Sequence, residues 1–206
     1  MGKHFLFFKY KGKLNIIPMR NDHVAYRVAD RNKTAQFFIN CFGYRIDSKI
    51  PEGFDIQFED ETWAKCLVLL PPESPSDVDF SWIKTFPVSD GDKINKGVTY
   101  HMAPEIFISD GSDGSIVKEW VDKRGGVGGI HHMAFQVTSV EGTMRDLLDK
   151  GYVEFTTDKP LTCPGLTQIF TKPSELTGII YEFIERTENG FCKDNVKNLM
   201  TSTKNL

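Results

Sequence analysis

Arg20-Asn21-Asp22-His23-Val24-Ala25-Tyr26-Arg27-Val28 returns in altered form as Gly129-Ile130-His131-His132-Met133-Ala134-Phe135-Gln136-Val137. Both copies read as strands of period two. His23, Ala25 and Arg27 share one face of the first, and Val24, Tyr26 and Val28 the other. In the second, His132, Ala134 and Gln136 oppose Met133, Phe135 and Val137, with His131 on the side away from His132 as a structural neighbour. A small residue between polar ones suits a packed strand face badly, because polar groups there need partners and the alanine leaves space. The face is therefore expected to line a cavity. Two imidazoles entering one cavity from related strands suggest a metal site shared between the halves of a duplicated fold.

Outward from the first copy, Lys33–Cys41 has helical spacing with Gly43 as its stop, and Tyr44–Ile50, Phe54–Phe58 and Ala64–Leu70 read as strands. The second copy is followed by the same order: a helix over Val140–Lys150 stopped by Gly151, then strands at Val153–Thr156, Thr167–Thr171 and Gly178–Ile184. The expected fold class is α+β, with paired βαβββ modules forming a curved mixed sheet cup. We expect residues 1–19 to add an N-terminal hairpin, residues 20–110 to form the first module and residues 111–206 the second with a C-terminal helix. The stretch 71–97, rich in Pro, Ser, Asp and Gly, fits no regular period and reads as an insertion in the first module.

Two short segments invite ligand readings that their details do not support. Ser109-Asp110-Gly111-Ser112-Asp113-Gly114-Ser115 lacks the ligand series and closing glutamate of a calcium loop, and reads as a turn capping a helix over Ile116–Lys123. Gly125-Gly126-Val127-Gly128-Gly129 has no Lys-Ser/Thr and precedes a strand, so it reads as a junction and not a phosphate cradle.

The 206 residues carry a net charge of −3, with 40% hydrophobic and 26% charged side chains. No basic run with interleaved aromatics marks a nucleic-acid face, and no stretch approaches the ~20 apolar residues of a membrane helix. The partner expected is a small molecule. Cys41, Cys66, Cys163 and Cys192 are widely spaced and form no Cys-x-x-Cys pair, which suits reduced thiols in a cytoplasmic protein.

Two carboxylates complete the constellation. Pro104-Glu105-Ile106-Phe107-Ile108 puts Glu105 and Phe107 on one face, and Ile180-Tyr181-Glu182-Phe183-Ile184-Glu185-Arg186 puts Glu182 with Ile180, Ile184 and Arg186. A glutamate in such an apolar strand is costly to bury unless a cation meets it. A single histidine of this kind is more often structural, and Glu182 alone would be satisfied by Arg27 or Arg186. Four matched residues in two repeats make His23, Glu105, His132 and Glu182 the metal ligands expected, with His101 in reserve. Nitrogen and oxygen donors without thiolate suit Fe(II), Mn, Co, Ni or Zn.

The repeats with His, Glu, His and Glu at these places resemble the vicinal oxygen chelate superfamily, which includes glyoxalase I, methylmalonyl-CoA epimerase and extradiol dioxygenases. The C-terminal third is more specific. Leu166-Thr167-Gln168-Ile169-Phe170-Thr171-Lys172-Pro173, Tyr181-Glu182-Phe183-Ile184-Glu185-Arg186 and Gly190-Phe191-Cys192-Lys193-Asp194-Asn195-Val196-Lys197-Asn198-Leu199 are similar to the catalytic domain of 4-hydroxyphenylpyruvate dioxygenase. That resemblance implies iron held by His23, His132 and Glu182, with Gln168 and Phe170 facing substrate and a closing helix, Asp194–Met200, gating the pocket. Dimerisation is common in the superfamily, so a homodimer is a further expectation.

This chain departs from the dioxygenase pattern by its length, by having only Thr157–Gly165 where that family carries a long loop, and by Glu105, which stands at a ligand position of the epimerase and glyoxalase branch. Two catalytic readings follow. One is an iron-dependent oxygenase, an oxidoreductase acting on a small 2-oxo acid whose carboxylate is anchored by Arg27 or Arg186. The other is a metal-dependent isomerase, epimerase or lyase working through an enediolate, with Glu105 or Glu182 as base. A third, a small-molecule-binding protein on this fold, is disfavoured because such proteins characteristically lack the metal ligands.

Overall fold

The computed structural model describes residues 20–72, 83–90, 93–101, 103–188 and 190–206, with 83–90 and 93–101 described as backbone only. The expected N-terminal hairpin lies outside these residues. The chain runs β1 (Arg20–Arg27), α1 (Arg31–Phe42), β2 (Arg45–Ile46), β3 (Phe54–Gln57), β4 (Trp63–Leu70), β5 (Ile83–Asp90), β6 (Lys93–His101), β7 (Glu105–Gly111) and α2 (Ile116–Lys123). It continues with β8 (Gly129–Gln136), α3 (Val140–Asp149), β9 (Leu161–Cys163), β10 (Leu166–Phe170), β11 (Ile180–Arg186) and α4 (Lys193–Ser202).

Local chemistry explains the helix boundaries. Asp30, Ser115 and Ser139 cap α1, α2 and α3, each side chain accepting a backbone N–H of the first turn. Gly43 closes α1 at φ 71°, donating its N–H to Ile39, a conformation that costs glycine nothing. Helix α4 differs: the side chain of Cys192 at its N-cap makes no capping bond, so packing must hold the helix in place.

The strands form one curved mixed sheet in the order β2-β4-β7-β1-β8-β11-β10-β9, with β3 added beside β4. Strands β1 and β8, the two histidine strands, pair antiparallel at its centre. On either side the pattern is the same, for β1 pairs parallel with β7 and β8 pairs parallel with β11. Helix α1 covers the outer face of the first half over Val24, Leu67, Leu69, Ile106 and Ile108. Helix α3 packs on the equivalent face of the second, its Val140 buried against Val137 and Ile169. The inner face gathers Ala25, Val68 and Phe107 with Ile116 and Val117 of α2 and Val196 and Met200 of α4. Strand alternation has divided each strand between two cores.

Four expectations change. The stretch 71–97 is not irregular throughout: β5 and β6 pair as a two-stranded antiparallel ribbon that reaches His101. The strand expected at Val153–Thr156 is a single bridge between Phe155 and Thr171. Of Tyr44–Ile50 only β2 pairs, and the loop expected at Thr157–Gly165 contains β9. In each case the hydrogen bonds of a sheet edge, which residue type encodes weakly, decide the outcome.

Candidate metal centre

His23 on β1, His132 on β8 and Glu182 on β11 meet beneath the inner face. Nε2 of His23 is 3.1 Å from Oε2 of Glu182, Nε2 of His132 is 3.2 Å from the same oxygen, and the two nitrogens are 3.3 Å apart. Bonds of about 2.1 Å to one ion would hold neighbouring donors about 3.0 Å apart in an octahedron and about 3.4 Å apart in a tetrahedron. The triangle fits a divalent ion of either geometry. Its donor set, two imidazoles and a carboxylate all turned to one point, fits the same group.

The surrounding residues fix these donors. Nδ1 of His23 donates to Oδ1 of Asp22 at 2.9 Å, which makes Nε2 the atom that would offer its lone pair to a metal. Asp22 is itself pinned by Arg186 Nη2 on Oδ1 and Arg20 Nη2 on Oδ2, both at 2.7 Å. On the other imidazole, Nδ1 of His132 lies 2.8 Å from Nδ1 of His131. A metal on Nε2 of His132 requires that bond to run from His132 to a neutral His131. The amide of Gln168 donates to Oε1 of Glu182 at 2.6 Å, so only Oε2 faces the histidines. Asn195 of α4 donates in turn to Gln168 at 3.4 Å.

Charge follows geometry. Burial opposes ionisation of Glu182, but the imidazoles of His23 and His132 outweigh it and hold the carboxyl at about 2. Burial also opposes a charge on His23, yet Glu182 and Asp22 raise it to about 9. Without a metal, a proton on His23 supplies the positive charge. His132 and His131 are both pushed down by burial, and His131 further by Arg27.

A cavity extends from this triangle. Its walls include Ala25, Arg27, Phe107, Gln168 and Phe170 of the sheet, with Phe191, Val196, Leu199 and Met200 above. The final helix thus roofs the cup.

The sequence profile of the glyoxalase/bleomycin resistance protein/dioxygenase superfamily matches residues 22–162. The chain belongs to that superfamily. The matched span contains His23 and His132 and stops short of Glu182, whose place in this superfamily member is given by the fold. Among solved structures, the chain is similar to a mutant 4-hydroxymandelate synthase from Streptomyces coelicolor, at 20% identity and TM-score 0.63 over 89% of this chain and 53% of that one. It spans about half of that protein's length. It is also similar to methylmalonyl-CoA epimerase from Mycobacterium tuberculosis, at 18% identity and TM-score 0.53 over 82% and 88% of the two chains. A selenomethionine methylmalonyl-CoA epimerase gives 20% identity and TM-score 0.52 over 82% and 95%. At these identities the likeness is one of fold. No curated protein matches the chain.

This superfamily member brings together three of the four expected ligands. Glu105 is set apart by register. In the second half Glu182 pairs with Ala134, two residues beyond His132; in the first half the residue paired with the equivalent Ala25 is Phe107, while Glu105 pairs with His23 itself. Glu105 therefore shares the inner face but stands one pleat further out, where burial pushes its carboxyl up against the opposing pull of Arg186. Arg27, Gln168 and Phe170 line the cavity. Arg186 is engaged elsewhere, on Asp22 and over the ring of Phe191 at 5.1 Å. The side chain of His101 lies outside the described residues.

His131 corrects the simple alternation. Between Ala25 and Tyr26 the pairing with β8 skips from His132 to Ile130, so His131 is the extra residue of a bulge and turns into the cavity. Asp22 occupies the matching irregularity, between Asn21 and His23. Both were missed as site residues. Their signal was present: a charged or polar residue directly before each histidine, on what alternation makes the apolar face.

Proposed function

We propose that the protein is an Fe(II)-dependent oxygenase of the vicinal oxygen chelate type, with the ion held by His23, His132 and Glu182 and a small 2-oxo acid as substrate. The observation that carries this reading is the pairing of Phe107, not a carboxylate, with Ala25. Three protein donors leave an octahedral ion three places, enough for a bidentate substrate and dioxygen, whereas a fourth would leave two. A bound Fe(II) would supply the electrons and Lewis acidity for oxygen chemistry that no side chain here can provide.

The chain's own residues prepare that chemistry. Asp22 and His131 hold the ring planes, and Gln168 restrains Glu182 to one free oxygen. Phe107, Phe170, Phe191 and Leu199 exclude water from the reacting end, which strengthens every charge interaction inside. Arg27 offers a guanidinium to an anionic substrate. We place the protein in the cytoplasm, a reading supported by four free cysteines. No helix among the described residues is long and apolar enough to cross a membrane.

A second reading, an isomerase, epimerase or lyase, is favoured by Glu105, whose raised carboxyl beside the His23 strand suits proton transfer. One experiment separates the two. Protein loaded anaerobically with Fe(II) is given alkyl and aryl 2-oxo acids and then oxygen, in parallel with incubation in deuterium oxide without oxygen. Oxygen uptake that vanishes in Glu182→Gln and persists in Glu105→Gln supports the oxygenase. Absence of uptake with every acid, together with Glu105-dependent deuterium exchange beside a carbonyl, would replace it with the isomerase.

A further inference from the structure

One charge on the cavity wall is not balanced. Arg27 is buried, with 3% of its surface exposed, and it lines the same cavity as the metal triangle. Its Nη2 donates to Oγ1 of Thr203 at 3.0 Å and its Nη1 to the carbonyl of Ile116 at 3.4 Å. Both acceptors are neutral. Among the described residues no carboxylate pairs with it, whereas Arg186, the other buried arginine of the site, lies 2.7 Å from Asp22. Burial accordingly pushes Arg27 down to about 9. A polar but uncharged side chain would serve to tie β1 to Thr203 and Ile116. A buried guanidinium without a counter-charge is costly, and an arriving anion removes that cost.

Position gives that anion a place relative to the metal. His23, Ala25 and Arg27 lie in a row along the inner face of β1, and a strand rise of about 3.3 Å per residue puts the first and last Cα atoms about 13 Å apart. Ala25 contributes only a methyl group to the floor between them. The charges of Asp22, Arg186 and Glu105 gather at the His23 end, while Arg27 and its register partner Ser109 stand at the other. Phe107, Phe170, Leu199 and Met200 make the walls apolar, which suits a short run of methylene groups.

We propose that Arg27 binds a second carboxylate of the substrate, so that the natural substrate is a short 2-oxo dicarboxylic acid with its 2-oxo acid end at His23, His132 and Glu182. This rests on the chelating site described under the proposed function. The planar fork of arginine accepts a carboxylate through two parallel hydrogen bonds, which a lysine cannot reproduce.

The test uses protein loaded with Co(II), whose visible absorption changes when a ligand chelates it. It is titrated with straight-chain 2-oxo dicarboxylic acids of five to eight carbons and with the 2-oxo monocarboxylic acids of the same lengths. One dicarboxylic acid is expected to bind at least about 30-fold more tightly than its monocarboxylic counterpart, the scale of a charged bidentate contact. Arg27→Met should level the two and Arg27→Lys recover part of the preference, with folding checked by thermal melting. Equal binding of both series to the natural protein overturns the proposal, as does a preference that survives in a folded Arg27→Met. Failure of the chelating site looks different. No 2-oxo acid would then alter the cobalt spectrum, while calorimetry would still detect Arg27-dependent binding of glutarate or adipate. Silence in both measurements overturns both readings.

Discussion

Asp22 is the residue on which the site's order turns. It accepts from His23, Arg186 and Arg20 at once, so it sets a ring, a charge and a strand end together. Asp22→Asn keeps the shape but loses the charge. Metal affinity measured by competition with a chelator should fall about 10–100-fold, as for other partners that orient a ligating imidazole. The histidines also fix a pH response of the metal-free protein. His23, raised to about 9, contributes stability that is complete below its unfolded value of 6.5 and lost as pH rises through 9. His131 and His132, both lowered, contribute above 6.5 and lose that stability as pH falls through it. Glu182, held at about 2, adds a further loss below its unfolded 4.5. Melting temperatures of chelator-treated protein should peak near pH 6.5 and fall on both sides, and saturating metal should remove the alkaline fall by replacing the proton on His23. The pattern of His-x-Ala made the two histidines legible in sequence. Asp22 and His131 left a signal as polar residues on an apolar face, but each sits in a bulge and alternation assigns it to the wrong side.

At the scale of elements, two pairings decide the chemistry. Matching the halves by residue type alone aligns Glu105 with Glu182. The ladders align Phe107 with Glu182, and no count along a single strand contains that shift. Phe107→Glu should therefore create a fourth donor. We expect the metal-free variant to melt at lower temperature, since a buried ring packed beside His23 and Phe191 is replaced by a charge. Added metal should restore much of the loss, while oxygen uptake should disappear. Helix α4 was legible through its resemblance, and the structure supplies the reason it must pack: its N-cap is unsatisfied and Val196, Leu199 and Met200 are buried. Leu199→Ala should cost about 2–3 kcal/mol in denaturant unfolding and raise KM for substrate, with metal content unchanged. The ribbon β5–β6 was illegible because a stretch rich in Pro and Gly gives no alternating pattern.

For the whole molecule, the central β1–β8 ladder is the seam between two similar halves, and the metal donors come from both sides of it. An ion bound only by the folded form stabilises it by RT ln(1 + [L]/Kd), about 4 kcal/mol at a free concentration 1,000 times Kd. Amide exchange along β1 and β8 should slow on metal addition, and with it exchange in β7 and β11. Protection confined to one half would show that the halves open independently. The duplication itself was readable from the repeated strand, since alternation and helix stops recur in the same order. The direction in which β1 joins its neighbours was not, because it depends on contacts between residues more than 80 positions apart.

The positions of the donors also impose an order on assembly. A chain emerging from a ribosome displays His23 first, His132 more than a hundred residues later, and Glu182 fifty residues after that. Until then the two imidazoles lack the carboxylate that completes the triangle, and the inner face lacks the cover of α4. A nascent chain halted before β11 leaves apolar surface uncovered and is a ready client for chaperones, and this triangle can capture metal only after β11 has been made.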